Sequence, residues 1–151
     1  MIKKTCIALS LCLSLIIGLS SCSKTSFDQP GFPGLRCNPD GIEYIADTAF
    51  YLRTLGTTIH AQTGGHDKII IYLQHTDTTG SVALDTVNNY AYYLDGTDTY
   101  ESVNGNVTIT QYYNDSLHVM NGTFGFNARA RSDHSKTINV SYGYFNGIPR
   151  H

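Results

Sequence analysis

GTFGFNARA at residues 122–130 and TINVSYGYF at residues 137–145 decide how this chain is read. In the first, Phe124, Phe126 and Ala128 alternate with Thr123, Gly125 and Asn127; in the second, Ile138, Val140, Tyr142 and Tyr144 alternate with Asn139, Ser141 and Gly143. A period of two sends successive side chains to opposite faces of a strand, so each segment has one buried face and one wetted face. Val107 and Ile109 repeat the pattern against Thr108 and Thr110. Ile69-Ile70-Ile71-Tyr72-Leu73 is continuously apolar, which predicts a central strand covered on both faces. Further strands are expected over 82–84, 90–94 and 99–103, with Asp95-Gly96 as a hairpin turn. Residues 42–53 are ambiguous: Ile42, Ile45, Ala46, Ala49 and Phe50 fit helical spacing, but Tyr44, Thr48, Phe50 and Tyr51 favour strand, which is the reading adopted. Together these segments predict an all-β domain, an antiparallel β-sandwich or barrel-like meander of roughly eight to nine strands.

Upstream the texture changes. Residues 23–39 hold Pro30, Gly31, Pro33, Gly34 and Pro39 among few apolar residues, which reads as an extended tether. Before that, Lys3 and Lys4 precede an apolar run from Ile7 to Leu19, too short for the ~20 residues a membrane-crossing helix needs. A basic start and a short apolar run are the marks of a secretory signal peptide. The run ends Leu19-Ser20-Ser21-Cys22, which resembles the lipobox of bacterial lipoproteins: an aliphatic residue, two small ones, then the cysteine that accepts lipid. That resemblance implies cleavage before Cys22 and a membrane anchor of several acyl chains, where one chain alone holds only marginally. With Ser23 in the next position, it also implies the outer membrane, on the periplasmic face or at the cell surface. The expected organisation is therefore a signal peptide over 1–21, a lipidated tether over 22–39 and a β domain over 40–151.

The two opening segments carry a second resemblance. Gly122-Thr123-Phe124-Gly125-Phe126-Asn127-Ala128, followed by a strand ending Gly143-Tyr144-Phe145, is similar to the ending of small uncharacterised all-β lipoproteins of the Bacteroidetes type, in which GTFxFxA precedes a strand ending GxF. The similarity extends loosely back to Gly41. It implies fold and location and no particular chemistry, because that domain is one of unknown function.

Composition narrows the partners. After residues 1–21 are removed, eight Lys and Arg face twelve Asp and Glu, a formal charge of −4. An acidic balance speaks against nucleic acid, whose phosphates require clustered cations. Of four cysteines, Cys6 and Cys12 leave with the signal and Cys22 takes the lipid, so Cys37 remains alone and is expected to be idle. The fold must then hold by its core.

Four constellations could carry chemistry. His60 and His66 flank Gly64-Gly65; a two- or four-residue turn would pair Gln62 with Asp67 and His60 with Ile69, sending the histidines to opposite faces, and only an odd loop would bring them together. Asp95, Asp98 and Glu101 could serve calcium or glycoside cleavage, but acids and glycine at a hairpin tip are what turn chemistry selects. Arg129, Arg131, His134 and Lys136 crowd the last loop and could meet phosphate or acidic sugars. Among eleven tyrosines and no tryptophan, Tyr90, Tyr92 and Tyr93 with Tyr112 and Tyr113 could form an aromatic shelf for a sugar ring or an envelope protein. No Gly-x-Ser-x-Gly elbow and no Cys–His arrangement with a plausible orienting acid is present. The expectation is a lipid-anchored envelope domain that binds or displays something and is not an enzyme, with no metal or cofactor; candidate contacts are the five tyrosines with Arg129 and Arg131. The alternatives are a small glycan- or peptide-directed hydrolase, or an assembly or adhesion subunit that pairs through an edge strand.

Overall fold

Alternation of the kind seen in GTFGFNARA buries one face only when neighbouring strands alternate in step, and ten strands do so. The computed structural model describes residues 34–65, 67–74, 79–112 and 119–151. The signal region, Cys22, the tether as far as residue 33, His66 and Tyr113 lie outside the described residues. The strands are β1 (Gly34–Pro39), β2 (Tyr44–Ile45), β3 (Thr48–Arg53), β4 (Thr57–Gln62), β5 (Asp67–Leu73), β6 (Gly80–Leu84), β7 (Asn89–Asp95), β8 (Thr99–Tyr112), β9 (Val119–Ala130) and β10 (Thr137–Pro149). They form one sheet in the order β2-β1-β10-β9-β8-β7-β5-β4-β3, with β6 paired to β8 off this path. Every strand pair is antiparallel. Of the two architectures expected from sequence, the barrel-like meander is the one found.

The sheet curls because its longest strands are bulged. β10 shifts register against β9 between Val140 and Gly143 and again between Phe145 and Ile148; β8 shifts against β9 between Ser102 and Asn104. Each bulge bends its strand and increases the local twist. The curl brings the tail of β10 to the far edge: Tyr51 of β3 bridges Arg150 in parallel, and His151 N–H donates to the Tyr51 carbonyl at 2.9 Å. The result is a half-barrel around a single core of Leu35, Tyr51, Ile59, Ile71, Phe126 and Phe145, among others.

Glycines in the motif make room for its rings. Phe145 pairs with Gly122 and Phe124 with Gly143. A Cβ at Gly122 would collide with the Thr108 carbonyl and the Phe145 ring, and one at Gly143 with the Phe124 ring at 2.6 Å. The bare backbone lets each phenylalanine lie across the neighbouring strand, and Phe124 and Phe145 stack with centroids 6.3 Å apart.

Four expectations change. Residues 34–39 are not tether: they form β1, seated between β2 and β10, with Leu35 and Cys37 fully buried. Cys37 is accordingly a core residue whose thiol burial pushes far above its ordinary pKa, which leaves little reactive thiolate. Tyr142 does not continue the buried series from Val140. The bulge gives it a φ of 50° and 72% exposure, and Gly143 and Phe145 face inward in its place. β8 is one strand where two were expected, and it changes neighbours midway: residues 99–101 pair with β7 and residues 105–109 with β6. At the changeover the buried Ser102 hydroxyl accepts the Ala91 N–H at 2.9 Å, satisfying a donor that the ladder has abandoned. Finally, β5 is an interior strand between β4 and β7, yet only Ile69, Ile71 and Leu73 are fully buried; Ile70 and Tyr72 are half-buried on the outer face. The ambiguous segment 42–53 is strand, as β2 and β3.

Candidate functional site

The register across β3, β4, β5, β7 and β8 fixes what the outer face presents. One row runs Phe50, His60, Ile70, Tyr92, Glu101; a second runs Leu52, Thr58, Tyr72, Tyr90; a third runs Thr48, Gln62, Lys68, Leu94, Thr99. Their chain neighbours Tyr51, Ile59, Ile71 and Ala91 are the buried ones, so these rows point outward. The rings touch. Phe50 stacks on His60 at 5.2 Å and meets His151 at 5.0 Å; Tyr72 stacks on Tyr90 at 5.0 Å, and Tyr90 leans on Tyr92 at 5.2 Å. Arg131, from the β9–β10 loop, lies over Tyr92 at 5.1 Å and reaches its hydroxyl at 3.5 Å.

Beside the rings lies a cleft of about 640 Å³ between the β4–β5 turn, the β7–β8 hairpin and the β9–β10 loop. Gln62, Lys68, Leu94, Asp98, Arg131 and Ser132 are among its walls. A recess of about 290 Å³ over Phe50, His60 and Ile70 adjoins it and shares Gln62 and Lys68. The first volume falls within the range of small-molecule sites. The walls are pre-set by local bonds. Asp95 Oδ1 accepts Thr97 N–H at 2.9 Å, Thr97 hydroxyl at 2.7 Å and Asp98 N–H at 2.8 Å, an Asx turn closed by Gly96 at φ 81°. Asp98 takes the Ser132 hydroxyl, Glu101 pairs with Arg131, and Arg131 N–H donates to the Thr99 carbonyl at 2.9 Å. The hairpin and the last loop are thereby clamped together.

The titrating groups follow from these contacts. Burial pushes Asp95 up, but the hydrogen bonds from Thr97 and Asp98 outweigh it and hold the carboxyl below its ordinary value. Ser132 and the backbone N–H groups of Thr99 and Ser132 do the same for Asp98 against a smaller opposing push from burial. Tyr90 is raised by burial and by Tyr92 and Tyr72. His60 is lowered by desolvation.

The sequence-predicted residues divide. Tyr90 and Tyr92 are on the face, and Arg131 joins it. Tyr93 is not: it is 7% exposed in the interior, edge-on to Tyr44 at 6.5 Å, with its hydroxyl pushed up to about 12 chiefly by burial. Adjacent strand residues face opposite ways, so Tyr93 could not share a shelf with Tyr92. Tyr112 ends β8 opposite Met120, beyond β7 and β5. Arg129 stands opposite Glu101, so it carries the first row on to β9, where it lines a recess of about 50 Å³ with Glu101, Thr86 and His134. His60 pairs with Ile70 and Gln62 with Lys68, the odd loop rather than the even one. Among the described residues, no three His, Cys, Asp or Glu side chains gather as metal ligands. Sequence reasoning missed Tyr72, Phe50, Lys68 and Leu94; the signal for Tyr72 was its register with Tyr90, which only the β5–β7 pairing supplies.

The fold and face define a class: a single-sheet antiparallel half-barrel with a ligand-sized cleft and an aromatic strip on its outer surface. Within that class the chain belongs to the family described as Domain of unknown function (DUF6252), whose family model matches residues 33–149. The match begins just before β1, in agreement with β1 being part of the domain. No curated protein and no solved structure matches the chain.

Proposed function

We propose that this chain is a non-enzymatic envelope lipoprotein, held in the outer membrane by lipid on Cys22, whose domain binds carbohydrate on the outer face around Tyr90, Tyr92 and Arg131. The observation that carries the reading is the cleft beside the ring strip. A sugar offers hydroxyls around its rim and C–H groups on its faces. The cleft offers a polar rim of Gln62, Asp98 and Ser132 over the apolar side chain of Leu94, next to tyrosines whose rings can pack while their hydroxyls bond. The anchor rests on the basic start, the short apolar run and the Leu19-Ser20-Ser21-Cys22 tetrad.

A hydrolase has less support. Glycoside cleavage needs one carboxyl raised to act as an acid. Here Asp95 and Asp98 are held low, and Glu101 is paired with Arg131. Edge pairing also has less support at the two ends of the strand path, because β2 is two residues long and β3 is met at Tyr51 by the tail of β10.

The test is a glycan array probed with the full chain and with Tyr90→Ala and Tyr92→Ala. Binding by the parent that both variants lose is expected; a blank array, or binding indifferent to both changes, overturns the reading. Cys22→Ala should release the protein from the membrane fraction and end palmitate labelling, and retention of both would refute the anchor.

A further inference from the structure

The charges of the cleft point to the kind of saccharide, an inference that rests on the carbohydrate-binding reading above. Three charged side chains line it: Asp98, Arg131 and Lys68. Asp98 is occupied by the Ser132 hydroxyl and the Thr99 N–H, and Arg131 by Glu101 and the Tyr92 ring. Lys68 differs. It stands mid-row between Gln62 and Leu94, at the divide between the cleft and the Phe50 recess, and no ion pair among the described residues engages it. An unspent ammonium where two cavities join, on a chain of net negative charge, is a local exception to the electrostatics of the whole.

We propose that the cleft selects an acidic saccharide, with a uronate-type carboxylate on the Lys68 ammonium and the adjoining, less polar part of the ligand in the recess over Phe50 and Ile70. A carboxylate on Lys68 makes a charge-assisted hydrogen bond in a site partly withdrawn from water. Arg131 is committed to Glu101 and steadies Tyr92, so it shapes the wall without supplying the free charge.

The test titrates the full chain with uronate oligosaccharides, each paired with its own methyl ester, so that ring and linkage are constant and only charge changes. The acid form is expected to bind about fivefold more tightly than the ester at low salt, the gap closing as salt is added. Lys68→Gln should make the pair equal, Lys68→Arg should restore the preference, and melting curves check that both variants fold. Equal binding of acid and ester by the parent, with Tyr92→Ala losing both, overturns the acidic preference and leaves carbohydrate binding standing. A preference that survives in Lys68→Gln overturns the assignment to Lys68. Binding of neither form removes the carbohydrate reading and this inference with it.

Discussion

The two halves of the sheet share one core but wear different outer faces. Over β8, β9 and β10 the face is polar. The Asn139 amide donates to Asn127 at 2.7 Å, the Asn127 amide donates to Asn104 at 2.8 Å, and the Thr108 hydroxyl donates to Ser81 at 3.0 Å. Over β3, β4, β5 and β7 the face is Phe50, His60, Ile70, Tyr72, Tyr90 and Tyr92, half-buried against one another. The polar half spends its hydrogen bonds on itself across the strands, a form of cross-strand stabilisation that leaves few groups seeking a partner. The aromatic half instead presents a contiguous row of half-buried rings, which is where the proposed saccharide would lie. Interior alternation dictates half of each strand; the other half is free to differ, and here it differs by region.

The largest effects should fall on what the halves share. Phe145→Ala, beneath the polar half, is expected to cost about 3–5 kcal/mol, and Ile71→Ala, beneath the aromatic half, about 2–5 kcal/mol. Urea unfolding of either should remain one transition; two transitions would mean that the halves are separate units. At the join, Ser102→Ala strands the Ala91 N–H and should cost about 1–3 kcal/mol, and a loss too small to measure would deny Ser102 that role. On the polar face, Asn127→Ala removes two bonds of an exposed ladder and should cost about 1 kcal/mol while leaving saccharide affinity unchanged. If affinity falls, the contrast between the faces collapses.

The smallest effect is a pH slope confined to the aromatic half. Desolvation lowers the folded pKa of His60 below its ordinary value of about 6.5, so the unfolded chain takes up the proton first. Stability should therefore fall as pH drops from about 6.5 towards the folded pKa and should be free of this contribution above it. His60→Gln should flatten that part of the stability curve; an unchanged slope would place the titration elsewhere.

How much of this was legible depends on how local the cause was. The series Phe124, Phe126, Ala128 in GTFGFNARA was readable because β9 keeps strict alternation from Met120 to Ala130. Tyr142 misled because a bulge is set by the partner strand, which the local pattern does not contain. Gly34–Pro39 read as tether because its composition is loop-like. It is a strand because β10, a hundred residues away, pairs with it, so a fragment beginning at residue 40 would lack two fully buried side chains. At the site, the cluster Tyr90, Tyr92 and Tyr93 was legible as composition alone, and strand alternation then turns Tyr93 inward, away from the other two. Tyr72 was hidden because the apolar run from Ile69 to Leu73 predicted burial on both faces, and Lys68 because its row with Gln62 and Leu94 exists only through strand pairing.

The central claim is that saccharide sits on the aromatic half and not on the polar half, and tyrosine footprinting tests it within one molecule. Tyr90 and Tyr92 report on the first face, and Tyr142, 72% exposed on β10, reports on the second. Nitration of the full chain, read by mass spectrometry with and without saturating saccharide, should show Tyr90 and Tyr92 protected and Tyr142 unchanged. Protection of Tyr142 with Tyr90 and Tyr92 left reactive would contradict the account.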